Sequence, residues 1–111
     1  MGLFKPTILT AHVTYKGHDI VFYNDWSILP YKSLATLTVD GVEVARSTKM
    51  SHLNPHKPLF SLENIAPDLE SIDVFFIGMF SAKASIVVNG DVLHRDPIDA
   101  FDKMQASWFE T

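Results

Sequence analysis

Along most of this chain apolar and polar residues alternate with a period of two, the pattern of strands that bury one face. The alternation is clearest from Thr36 to Ser47, TLTVDGVEVARS, where an Asp-Gly pair separates two alternating runs. A two-residue type I′ turn needs positive φ at both central positions, which Asp, Asn and Gly tolerate. The stretch therefore predicts a hairpin pairing Val39 with Val42 and Leu37 with Val44, those four on a core-facing side and Thr36, Thr38, Glu43 and Ala45 outward. Ser85 to Asp96, SIVVNGDVLHRD, repeats it position for position: Asp40-Gly41 becomes Asn89-Gly90, Val39 becomes Val88, Val44 becomes Leu93 and Arg46 becomes Arg95. Asp91 replaces Val42, and Val87 and Val92 take the outer face. Either this second hairpin is covered on both sides or its turn is a bulged three-residue form that shifts the register.

The rest of the chain falls around these two hairpins. Thr7 to Tyr15 alternates Leu9, Ala11, Val13 and Tyr15 with Thr10, His12 and Thr14, a strand. Lys16-Gly17 is a turn that pairs Tyr15 with His18, Val13 with Ile20 and Ala11 with Phe22, and points His12 outward opposite Val21. Asn24 to Ser33, with Asn24, Asp25, Ser27 and Pro30, reads as an aromatic loop carrying Trp26 and Tyr31. Thr48 to Pro58 reads as a crossing loop, Leu59 to Leu62 as a short strand, and Asn64 to Ser71 as a turn or single helical turn opened by Pro67. Ile72 to Ile77 is nearly continuous in apolar residues and predicts a strand covered on both faces. Asp96 as N-cap, Pro97 at the first helical position and Asp99 in the first turn predict a C-terminal helix over about 97–109. On it Ile98, Phe101, Met104, Trp108 and Phe109 form one apolar stripe.

The expected fold is mainly β: one domain over 1–111, an antiparallel β-sandwich of about seven or eight strands with one C-terminal α-helix. Its pseudo-repeated halves lie at about 7–47 and 59–96. Composition narrows function by exclusion. With 13 acidic against 9 basic residues and a pI near 5.6, the chain lacks the positive charge that phosphate-backbone binding needs, so nucleic acid is not an expected partner. There is no cysteine, hence no disulfide framework and no thiol chemistry. No apolar run approaches the roughly 20 residues of a membrane span, and no signal-peptide pattern opens the sequence. A cytoplasmic protein is expected.

Candidate chemistry is sparse. His52 and His56 have the spacing of metal ligands, but Pro55 between them rules out the helical geometry that sets such a pair on one face; they are the weak metal candidates. His94 beside Asp96 would need a nucleophile, for which Ser47 and Ser85 are the nearest choices. No nucleophile elbow, P-loop or dinucleotide glycine pattern occurs, and no pair of carboxylates has a spacing that forces one to keep its proton. No catalytic residue and no cofactor is expected. The candidate binding residues are aromatic instead: Tyr23, Trp26 and Tyr31 as a loop patch, and Phe101, Trp108 and Phe109 on the helix.

The order of features resembles a known family. His18-x-Ile20-x-Phe22, a connection into the VDG hairpin with Glu43 and Arg46, the Phe60 strand, and an isoleucine-led strand followed by the NG hairpin at Val88 to Leu93 are similar to the β-sandwich domain of Fas apoptotic inhibitory molecule. The resemblance covers roughly residues 12 to 95. It implies an eight-stranded antiparallel sandwich without catalytic residues that acts through protein contacts. The loop from Ser47 to Pro58 and the C-terminal helix depart from that pattern. The functional expectation is a non-catalytic protein-interaction module, with a protein partner or a homodimer. The alternative is a small-ligand binder, for lipid or carbohydrate, with aromatics at the mouth of a cavity.

Overall fold

A computed structural model of the protein describes residues 7–27, 32–48, 57–77 and 83–96. They form eight strands: β1 Thr7–Tyr15, β2 His18–Ser27, β3 Lys32–Val39, β4 Val42–Ser47, β5 Phe60–Ala66, β6 Leu69–Ile77, β7 Lys83–Val88 and β8 Asp91–Arg95. β1 to β4 make one four-stranded antiparallel sheet in chain order and β5 to β8 the other. The predicted C-terminal helix lies outside the described residues.

Each sheet is two hairpins in tandem. Asp40 and Asn89 stand at φ 53° and 51°, followed by Gly41 and Gly90 at 81° and 84°, and Lys16-Gly17 adopts the same turn at 49° and 82°. Both central residues have positive φ, as a type I′ turn requires. Pairing across Lys16-Gly17 follows the expected register from Tyr15↔His18 to Ala11↔Phe22.

The register of the two repeat hairpins differs from the simple expectation. Val39 pairs with Val42, but Leu37 pairs with Ala45 rather than Val44. In the second sheet Val88 pairs with Asp91 and Val87 with Val92, yet Ile86 pairs with His94. An extra residue, Val44 or Leu93, is therefore inserted at the same place in both copies, a β-bulge that lets each lean onto the core. Neither alternative for the second hairpin holds as stated: its turn has two residues, the bulge follows further along the ladder, and Val92 is exposed. Val42 is also corrected: it sits at the hairpin tip and is 64% exposed, which is why Asp91 can replace it.

Two further expectations give way. Asn24 to Ser27 is strand, paired with β3 throughout and with β1 as far as Trp26, because β2 is central and its backbone ladder outweighs the turn preference of Asn and Asp. Residues 28–31 of that expected loop lie outside the described residues. Leu59 to Leu62 extends into the longer β5, and of the two readings of Asn64 to Ser71 the turn holds, at Pro67-Asp68 alone, with strand on either side and the hairpin closed by Ala66↔Leu69. Asn64, at φ 56°, absorbs the irregularity in that ladder.

The inner faces share one core. Ala11, Val13, Ile20, Phe22, Ala35, Leu37 and Val39 come from the first sheet; Phe60, Leu69, Ile72, Val74, Phe76, Ala84, Ile86 and Val88 come from the second. Phe22 sits between them, 6.2 Å from the Phe60 ring edge-on and 5.8 Å from Phe76. Such a buried ring contributes by area and by its edge-to-face contact together.

Candidate functional site

Because each sheet runs up and down in chain order, its two tight turns lie at one end. Cross-sheet hydrogen bonds place the turns of both sheets at the same pole. Within each sheet the third strand's turn residue clasps the start of the second strand. Asp40 N–H donates to Asp19 O (2.8 Å) and Asp40 Oδ1 accepts from Asp19 N–H (2.9 Å). Asn89 N–H donates to Ser71 O (2.9 Å), and Asn89 Oδ1 accepts from Glu70 and Ser71 N–H (2.8 and 3.1 Å).

The remaining atoms of these side chains reach other turns, some in the same sheet and some in the other. Asn89 Nδ2 donates to the Asp68 carbonyl (3.0 Å) and to the Tyr15 hydroxyl (3.3 Å). His18, 22% exposed, meets Asp40 Oδ2 through Nδ1 at 2.7 Å and Asp68 Oδ1 through Nε2 at 2.8 Å. Contact with Asp40 first and Asp68 second holds the imidazole pKa above its ordinary value near 6.5. The same contacts hold both carboxylates below theirs. Nothing in the sequence singles this cluster out: His18 enters there as the partner of Tyr15 across the first turn.

The outer faces differ. On the first sheet the bulge at Val44 brings Glu43 and Arg46 to one side, although residues three apart on a regular strand face opposite ways. Arg46 then forks onto Glu43 with two 2.9 Å bonds. Beside them stand Thr36 and Thr38. On the second sheet the matching positions are Ser85, Val87, Val92 and Arg95. Val92, 50% exposed, lies directly opposite the half-buried Val87, with Phe75 on the diagonal. Arg95 is exposed, and Val92 stands where Arg46 has its carboxylate. The strand expected to be covered on both faces is buried only inward, at Ile72, Val74 and Phe76.

Of the predicted site residues, Tyr23 is half-buried on the outer face of the first sheet, its hydroxyl 3.4 Å from Asp25 Oδ2. Trp26 belongs to β2 by its backbone, paired with Thr7 and Ser33. Tyr31, Phe101, Trp108, Phe109, His52 and His56 lie outside the described residues. His94 Nε2 meets Asp96 Oδ1 at 3.1 Å, while Asp96 Oδ2 accepts from Ala84 N–H at 2.9 Å, so the carboxylate expected to cap a helix is engaged in the sheet. His94 pairs with Ile86 and Ser85 with Arg95, successive positions that face opposite sides, and Ser47 belongs to the other sheet. Among the described residues no group of three or more His, Cys, Asp or Glu is placed to hold a metal ion, and no helix is long and apolar enough to cross a membrane.

No protein family, curated protein or solved structure matches the chain. The likeness to Fas apoptotic inhibitory molecule therefore rests on the hairpin motifs alone.

Proposed function

We propose that this chain is a β-sandwich protein-interaction module, without catalytic activity, that engages a protein partner or a second copy through the outer face of its second sheet. One observation carries the reading. Equivalent outer positions of the two repeats hold Thr38 and Glu43 in one sheet and Val87 and Val92 in the other. The first set is what a solvated face selects; the second, with Phe75 and an exposed Arg95 alongside and Asp73 paired with Val87, brings to an outer face the apolar, aromatic and arginine side chains that interfaces favour. Contact of Phe22 with Phe60 and Phe76 occupies the space between the sheets, which favours this reading over the small-ligand alternative.

Copying the first repeat into the second tests it. The double substitution Val87→Thr and Val92→Glu changes partly exposed side chains already accommodated by the same fold positions, so the melting temperature should fall by no more than a few degrees. The native sedimentation of the protein in its own extract should shift from complex to monomer. A variant that sediments as the unsubstituted protein does, at unchanged stability, would overturn the proposal.

A further inference from the structure

Both ends of the His18 side chain are held by carboxylates, and from different sheets: Asp40 on the β3–β4 turn and Asp68 on the β5–β6 turn, at 2.7 and 2.8 Å. A neutral imidazole carries a single N–H, so it can donate to only one of two carboxylates and must turn a lone pair toward the other. The imidazolium donates to both. We propose that His18 is a proton-gated latch between the two sheets, closed when its ring is cationic and released from one of them when the ring is neutral.

The surroundings fit that role. Asp40 keeps its second oxygen on Asp19 N–H and so cannot swing away with the imidazole. Asp68 contributes its backbone carbonyl to Asn89, which leaves its carboxylate for His18. Lys16, on the β1–β2 turn, rests 5.4 Å from the Tyr15 ring, and its charge also favours ionised Asp68. Asp19 meets His12 at 3.2 Å on the outward side, and Glu70 and Asp91 flank the two turns of the second sheet. The pole is thus richer in carboxylates than in cations, and a cationic His18 is the charge it favours.

The direction with pH follows. The folded imidazole pKa lies above the unfolded one, so its contribution to stability is complete below about pH 6.5 and is lost as pH rises through the folded value. Asp40 and Asp68, lowered in the fold, contribute above their ordinary 3.8 and lose the contribution as pH falls through the folded values. The latch is therefore tightest from about pH 4 to 6.5 and opens on the alkaline side.

Two measurements test it. In an ¹⁵N NMR titration of the full chain, the His18 ring should stay doubly protonated past its ordinary 6.5, and Asp68→Asn should lower that midpoint. A double-mutant cycle between His18→Gln and Asp68→Asn should show coupling at about pH 5.5 that is at least halved at about pH 9. Titration of His18 at or below 6.5, or coupling equal at the two pH values, overturns the latch. Should His18→Gln fail to fold, the titrations of the unsubstituted protein and of Asp68→Asn decide it.

Discussion

Replacing Asn89 with aspartate isolates what its amide does from what its turn position demands. The equivalent Asp40 already adopts the left-handed turn conformation, and Asp19 N–H shows that a carboxylate oxygen can accept the backbone clasp. The substitution therefore keeps the turn and the bonds from Glu70 and Ser71. It removes the donor to the Asp68 carbonyl and sets a carboxylate oxygen against it at a spacing of 3.0 Å, acceptor to acceptor. The Tyr15 hydroxyl can rotate to donate instead of accept, so the loss centres on Asp68. A partly buried carbonyl deprived of its donor costs about 1 to 3 kcal/mol. Urea unfolding near neutral pH should show that loss in the midpoint with an unchanged m-value. As pH falls below about 4, protonation of the new side chain restores a donor and the difference should shrink. Equal stability at all pH values would mean that Asn89 does not tie the two turns of the second sheet together.

Phe22→Ala should cost about 3 to 5 kcal/mol, since the ring fills the space between Phe60 and Phe76 and collapse would have to draw on both sheets. A loss below about 1 kcal/mol in the same unfolding assay would deny that the sheets share a core there. Gly41→Val and Gly90→Val should each cost more than about 1 kcal/mol through backbone strain alone, because an added Cβ meets nothing within 4 Å at either site. Unchanged melting temperatures would exclude the primed turns.

The turns and the repeat were legible in the sequence because their chemistry is local. Asp-Gly, Asn-Gly and Lys-Gly meet a φ requirement that few residue pairs satisfy, and alternation on either side names the inner residues. The bulges at Val44 and Leu93 were not legible, since a residue inserted into a ladder changes pairing without changing composition. Its trace was the outward Val87 and Val92, which fit no regular hairpin with one solvated face. Asn24 and Asp25 looked like loop residues because their polarity is read without knowing that β1 and β3 flank them. The Pro67-Asp68 turn stayed open between two readings for a related reason: Pro at the first turn position serves a helix start and a β-turn equally. His18, Asp40, Asp68 and Asn89 each sit at or beside a turn, but the sequence does not say that the turns of both sheets meet at one pole. Only that meeting makes a cluster of them.

The outer face of the second sheet is where a partner should sit, and the repeat supplies its own control. A photo-crosslinking amino acid placed at position 92 in the living source should give a discrete adduct, whose mass names a second copy or a distinct partner. The same group at the equivalent position 43 of the first sheet should give none. Adducts of equal yield at both positions, or none at position 92, would contradict the claim.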